Sequence, residues 1–278
     1  MKIWKFIKGY WMDAIAMVIF GIIFVVPFIF ILLTAAKTSQ EAAAFGFTWP
    51  GQFQLFQNIV DVIQFREYQA ARAMWNSTIL TVSSVTFIVL LAALVAYVMQ
   101  RRNDRVASLA NSLLLAGLVL PAAVVPTVFL LQKLGLYKTI LGLIFVEVAL
   151  SLPFAVLVLR AFIGTIPREI DEAAIMDGAS PLSLFFSVIL PLIRPAIVTI
   201  IVTNSVFIYN DFANPLYFLP GSKNVTAQLT LFSFMSQYNS QWNLLFADVV
   251  LITIPPLILF MFFQRQIVSG MTSGAVKG

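Results

Sequence analysis

Residues 172 to 191 read EAAIMDGASPLSLFFSVILP, which is a polar turn set inside an otherwise apolar region. Pro167, which lies just before this stretch, and the acidic residues Glu169, Asp171 and Glu172 suit the first turn of a helix. Gly178 suits a left-handed helix end, and Ser180 followed by Pro181 suits the N-cap and first turn of a second helix. The stretch is therefore predicted to form a helix, a sharp turn and another helix. We call residues 167–191 the elbow.

The chain around the elbow has the composition of a membrane protein. Its 278 residues are 60% hydrophobic and only 10% charged, with a mean hydropathy of +0.95. A helix that crosses a bilayer needs about 20 mostly apolar residues, because every backbone polar group must be satisfied inside the segment. Six segments are predicted to span the membrane, namely 14–33, 77–99, 106–132, 139–159, 182–210 and 244–263.

The distribution of basic residues predicts the orientation of these spans. Most of the 17 Lys and Arg residues fall at the two termini and in the connections on the same side as the elbow. Lys and Arg in short loops resist translocation, so both termini and the elbow are predicted to be cytoplasmic. The net charge of +5 then reflects topology and contact with anionic membrane lipid, not a nucleic-acid surface.

The chain lacks the residues that several kinds of chemistry require. It contains no Cys and no His, which excludes a Cys metal site, most zinc chemistry and His-based acid–base catalysis. The glycines near the C-terminus do not form a phosphate loop, because Lys277 is the penultimate residue and no strand and helix flank it. No metal, no cofactor and no catalytic residue are therefore predicted.

The elbow also carries a recognisable motif. EAA at 172–174, DGA at 177–179 and ILP at 189–191 closely resemble the EAA motif of ABC-importer permeases. The resemblance extends to the MalG-like permeases of the carbohydrate uptake family and covers nearly the whole chain. It rests further on Asn76-Ser77, LPAAVVPTVFLL (120–131), LGL (134–136), YNDFANPL (209–216) and FFQRQIVSGMTSGAVKG (262–278). Tyr209 replaces a usual Trp, and Asn243 replaces a common Gly.

The resemblance implies an all-α, polytopic fold of six transmembrane helices, the type I importer permease fold. It implies three partners: a homologous second permease, a cytoplasmic ATPase dimer that uses ATP and Mg²⁺, and an extracytoplasmic solute-binding protein. The location would be a bacterial or archaeal cytoplasmic membrane. The elbow would dock on the ATPase through Glu172, Ala173, Ala174, Asp177, Gly178 and Ala179.

Two parts of this implied interface have alternative interpretations. Glu172 either bonds the ATPase or caps its own helix. The tail formed by Gly274, Ala275, Val276, Lys277 and Gly278 either reaches the ATPase, as the resemblance implies, or frays in solvent as termini usually do.

Polar residues inside membrane spans are costly and often functional. Asp211 could contact sugar hydroxyls, face the binding protein or cap a helix. Glu147 and Asp248 are expected to hydrogen-bond between helices, and Pro121 and Pro126 are expected to kink the third span. The candidates for the substrate pathway are Asn210, Asp211, Asn204 and Glu147.

The predicted function is that of a sugar-importer permease subunit with no catalysis of its own. The predicted domains are an N-terminal segment with the first span (1–71), a permease core (72–265) and a cytoplasmic tail (266–278). Two alternatives stay open. One is an ABC permease for another solute, such as a polyamine or glycerol phosphate, and the other is an ATP-independent secondary transporter or channel.

Overall fold

The computed structural model describes residues 11, 13–120, 122–221, 223–235 and 240–275, with side chains described as far as residue 264. All regular secondary structure within these residues is helical, which confirms the expected all-α class. The helices are α1 (Asp13–Ala35), α2 (Ser39–Ala43), α3 (Leu55–Arg101), α4 (Arg105–Val119), α5 (Val124–Lys133), α6 (Ile140–Ile163), α7 (Glu169–Met176), α8 (Pro181–Leu192), α9 (Arg194–Tyr209), α10 (Ala213–Phe218), α11 (Ala227–Thr230) and α12 (Trp242–Ala275).

The lengths and apolar character of these helices are those of a multi-pass membrane protein. Helices α1, α3 and α6, and the part of α12 from Trp242 to Gln264, are each long and apolar enough to cross a bilayer. The pairs α4–α5 and α8–α9 are bent, and each pair adds one span if it crosses as a unit. The described residues thus contain 4 to 6 candidate spans, and the upper number matches the prediction.

Two predicted spans differ from expectation: the third, predicted to be kinked, is broken, and the fifth, predicted to be continuous, is bent. The third span is interrupted between Val119 and Val124, and Pro121 lies outside the described residues. Pro126 lies in the first turn of α5, where its missing N–H would have no intrahelical partner. The fifth span bends by 73° between α8 and α9, and α9 begins with a proline in its first turn.

Helix α3 is much longer than the second predicted span. It begins at Leu55, so Asn76 and Ser77 lie inside it instead of at its start. Its first part contains charged residues, and hydropathy detects only the apolar second part. The helix is interrupted from Phe65 to Tyr68, where three non-glycine residues adopt positive φ angles.

The chain divides into two compact units, and the first comprises residues 1–72 and 230–254. Its apolar core includes Ala35, Phe234 and Ala247. The buried side chain of Asn58 donates hydrogen bonds to the backbone carbonyls of Ala35 and Lys37, at 2.8 and 2.9 Å. Asn243 donates to Asn58 Oδ1 at 3.0 Å, which gives a structural role to the Asn that departs from the family pattern.

The second unit comprises residues 73–229 and 255–278 and contains the elbow. Its core consists of buried aliphatic side chains from the second part of α3 and from α6, α8 and α9, including Leu80, Ile88, Leu159, Ile189 and Ile200. The domain boundaries expected at residues 71 and 265 stay predictions.

Candidate functional site

The elbow has the local structure that its sequence predicts. Helix α7 ends in paired hydrogen bonds, from Gly178 N to Ile175 O at 2.9 Å and from Ala179 N to Ala174 O at 3.0 Å. This is the Schellman arrangement, which requires a left-handed residue after the helix. Gly178 supplies it with a φ of +85°, and a Cβ at this position would meet no atom within 4 Å. The requirement for glycine is therefore conformational.

The second arm of the elbow also begins as expected. Ser183 N donates to Ser180 Oγ at 3.3 Å, so Ser180 is the N-cap, and Pro181 occupies the first turn of α8. Leu184 and Phe185 in the next turn are buried, which fixes this arm against the core. The predicted arrangement of helix, sharp turn and helix is confirmed.

The predicted coupling residues face in two directions. Glu172, Ala173, Asp177 and Gly178 are exposed. The other two, Ala174 and Ala179, are half-buried and pack against the core. The side chain of Glu172 makes no hydrogen bond among the described residues, so it does not cap its own helix there.

Two apolar side chains at the end of α7 were missed by the sequence analysis. Ile175 is 58% exposed and Met176 is 87% exposed, directly before the turn. Leu182, directly after the turn, is 68% exposed. The sequence does contain the signal, because Ile175 and Met176 form an apolar pair between the acidic residues Glu172 and Asp177. The tip of the elbow, which we define as Ile175, Met176 and Leu182, is an apolar surface.

The base of the elbow is held by an ion pair that the sequence analysis also missed. Asp171 Oδ2 lies 2.5 Å from Arg101 Nε at the end of α3. The side chains are only 12% and 14% exposed, respectively. Both terminal nitrogens of Arg101 also donate to the carbonyl of Ile166 at 3.3 Å. From the sequence, Asp171 was predicted only to lie favourably near the positive end of the helix dipole.

Next to this pair lies a second ion pair with a different environment. Arg102 pairs with Asp104, and the two side chains are 60% and 39% exposed. Asp104 also accepts a hydrogen bond from Ala107 N at 2.9 Å and caps α4. The Ala107 N–H and the Arg102 side chain together lower the pKa of the Asp104 carboxyl below its ordinary value.

Three of the four candidate pathway residues lie together near the end of α9. Asn214 donates to Glu147 Oε1 at 3.1 Å, which confirms an interhelical hydrogen bond for the fully buried Glu147. Asp211 Oδ1 accepts from the backbone N–H groups of Ala213 (2.9 Å) and Asn214 (3.4 Å), so it caps α10. Asn210 accepts from Gln228 at 3.1 Å. These contacts are structural, and a role in the pathway stays a prediction.

The fourth candidate, Asn204, lies apart from them in a groove between α6 and α9. The groove has a volume of about 270 Å³ and is lined by Leu150, Ser151, Phe154, Thr203, Asn204 and Phe207. In the first unit, the fully buried Asp248 accepts a hydrogen bond from Thr230 at 2.6 Å, so it bonds between helices as predicted.

The predicted tail contact lies mostly outside the described residues. Gly274 and Ala275 end α12, and Val276, Lys277 and Gly278 lie outside the described residues. Among the residues that the structure describes, no three His, Cys, Asp or Glu side chains are grouped closely enough to hold a metal ion.

Comparison with known proteins identifies the family. Residues 88–273 match the family model described as binding-protein-dependent transport system inner membrane component. An ABC transporter permease protein, ORF2, from Caldicellulosiruptor sp. (strain Rt8B.4) is 34% identical over 91% of this chain and 92% of its own length. The diacetylchitobiose uptake system permease protein NgcG from Streptomyces coelicolor is 29% identical over 94% of this chain and 87% of its own.

A solved structure supports the fold. A chain of a bacterial ABC transporter involved in the import of the acidic polysaccharide alginate superposes with a TM-score of 0.78, over 95% of this chain and 96% of that chain. At 18% identity, this likeness concerns the fold alone. It confirms the importer-permease fold that the sequence resemblance implied. The alternative of an ATP-independent carrier is wrong, and the chain belongs to the ABC-importer permeases, the binding-protein-dependent transport system inner membrane components, which are transport proteins and not enzymes.

Proposed function

We propose that this chain forms half of a translocation pathway for a sugar or oligosaccharide, and that its elbow docks on a cytoplasmic ATPase. The observation that carries the proposal is the apolar tip on a rigid base. Met176 is an apolar side chain at the end of α7 and is 87% exposed. Full burial of one exposed Ile or Met side chain would contribute about 1.5–3 kcal/mol to the free energy of binding. An apolar tip that this chain leaves uncovered therefore favours contact with a protein partner.

The rest of the elbow suits the transmission of motion. Ala173 is small and exposed, which permits close approach of another surface. The Schellman turn at Gly178 and the buried Phe185 keep the two arms at a fixed angle. A rigid protrusion can transfer a rigid-body displacement between proteins, whereas a flexible loop would absorb it.

The partners follow from this role. One chain presents one elbow, and an ATPase dimer has two equivalent docking sites, so a homologous second permease would supply the other elbow. The tail at Gly274–Gly278 would approach the same ATPase dimer.

Both termini would then be cytoplasmic, and the extracytoplasmic binding protein would approach from the opposite side. ATP and Mg²⁺ would be bound by the ATPase.

The groove at Asn204 supports a carbohydrate as solute. Phe154 and Phe207 present aromatic rings. Thr203 Oγ1 and Asn204 Nδ2 already donate to backbone carbonyls of α9, so these two side chains would offer their oxygens to a sugar as acceptors. An aromatic surface with a few placed polar groups suits the apolar faces and hydroxyls of sugars. The Streptomyces relative is named as part of a diacetylchitobiose uptake system, which supports the same class of solute.

Reconstitution tests this proposal. The chain is placed in proteoliposomes with a second permease, an ATPase and a binding protein from the same organism, and uptake of labelled oligosaccharides is measured. We expect uptake only with all four components and ATP. Phe207→Ala should reduce uptake, whereas Phe129→Ala, with a similar exposure of 61% against 64%, should not. Uptake by this chain without the ATPase would contradict the proposal. Equal effects of the two Phe variants on uptake would show that the groove does not contact the solute.

A further inference from the structure

The end of α3 contacts both arms of the elbow through two side chains. Tyr97 and Arg101 are four residues apart, which places them on one face of the helix. The ring of Tyr97 packs against Phe185 in α8, with 5.7 Å between the ring centroids. Arg101 pairs with Asp171 in α7 at 2.5 Å. One face of α3 therefore contacts the arm before the turn and the arm after it.

The charged contact is shielded from solvent. Asp171 is 8% exposed, and its second oxygen, Oδ1, has no hydrogen-bond partner among the described residues. Among the described residues, the guanidinium of Arg101 is therefore the charge that compensates the Asp171 carboxylate. Removal of one partner from a buried pair leaves an uncompensated charge, whereas an exposed pair such as Arg102–Asp104 contributes little.

We propose that Tyr97 and Arg101 are positioning residues that make the elbow and α3 move as one body. This inference rests on the proposed function, because it requires the elbow to be the element on which the ATPase acts. A single contact would leave the elbow free to rotate about it. Two contacts on opposite sides of the Gly178 turn prevent that rotation, so a displacement of the elbow displaces the membrane-spanning part of α3.

The test measures the number of solute molecules transported for each ATP hydrolysed in the reconstituted complex. Arg101→Ala, Asp171→Asn and Tyr97→Leu should still bind the ATPase, because the tip of the elbow is unchanged. We expect each to lower the transport-to-ATP ratio, by about tenfold for the two charge variants, which lies within the range for residues that carry coupling. A loss of folded complex would lower transport and hydrolysis together and leave the ratio unchanged.

Two controls separate the buried contact from general effects of charge. Arg102→Ala removes the neighbouring exposed pair and should leave the ratio within about twofold of the parent. The double variant Arg101→Asp with Asp171→Arg restores opposite charges and should recover part of the ratio.

If Arg101→Ala does not assemble, Arg101→Lys is measured instead. It keeps the charge but loses the paired donation to Ile166, and an intermediate ratio is expected.

The outcomes distinguish this inference from the proposed function. An unchanged ratio in charge variants that assemble with the ATPase as the parent does, or the same loss in Arg102→Ala, overturns the inference. If Gly178→Ala, measured in parallel, weakens ATPase binding while the Arg101 and Asp171 variants behave like the parent, the proposed function stands without this inference. If none of the elbow variants affects the ATPase, both fail.

Discussion

Replacement of Gly178 by alanine isolates the contribution of the turn. Gly178 has a φ of +85°, and an added Cβ would meet no atom within 4 Å. The substitution therefore introduces no clash and perturbs only the backbone preference. A non-glycine L-residue in the left-handed region costs roughly 1–2 kcal/mol, and asparagine tolerates this region better than alanine.

This free energy translates into a measurable affinity. Since each 1.4 kcal/mol is tenfold in an equilibrium constant, the native turn becomes about 5- to 30-fold less favoured. If docking requires the native turn, the dissociation constant for the ATPase rises by up to the same factor. Gly178→Asn should give a smaller rise. Insertion into the membrane should be unaffected, because Gly178 lies between α7 and α8 and outside every candidate span.

Titration of the ATPase against permease complexes in nanodiscs measures this effect. Gly135→Ala is the matched control, because Gly135 also has a positive φ, of +69°, with no atom within 4 Å of an added Cβ, but lies after α5 in a different loop. We expect weaker ATPase binding only for Gly178→Ala. Equal binding by both variants and the parent would refute the argument that the turn geometry sets docking.

The remaining predictions concern topology, stability and the acidic face of the elbow. A cysteine introduced at Ser39 should react with an impermeant thiol reagent in intact cells and one at Ser180 should not, and labelling of Ser180 would invert the topology. Asn58→Ala should destabilise the first unit by about 1–3 kcal/mol and lower its Tm, because two buried carbonyls lose their donor; an unchanged Tm would show that those carbonyls find other partners. Glu172→Ala should reduce solute-stimulated ATP hydrolysis more than Glu169→Ala, although both residues are exposed on α7, and equal effects would mean that Glu172 makes no specific contact.

Local chemistry in the sequence predicted the elbow well. The turn at Gly178 and the cap at Ser180 depend only on residues within a few positions, so their signals can be read directly. The apolar parts of the spans were equally accessible, since bilayer thickness fixes their length. The bend between α8 and α9 lies at a proline, and its angle depends on packing that the sequence does not display.

Contacts between distant positions could not be predicted in this way. Arg101 and Asp171 are far apart in the chain, and each has an ordinary local explanation, as a basic residue at a helix end and as an acid in a first turn. The first part of α3 was missed because it is not apolar enough to be read as a span. Asn243 was noted only as a departure from the family pattern, and its bond to Asn58 gives it a structural role.

The most direct test of the central claim is site-specific photocrosslinking from the exposed face of the elbow. A photoreactive amino acid at Ala173, which is exposed on α7, is compared with one at Ser39, which is exposed on α2. In the assembled transporter, we predict an adduct with the ATPase from position 173 and none from position 39. An ATPase that copurifies with the complex but forms no adduct from position 173 would contradict docking through the elbow.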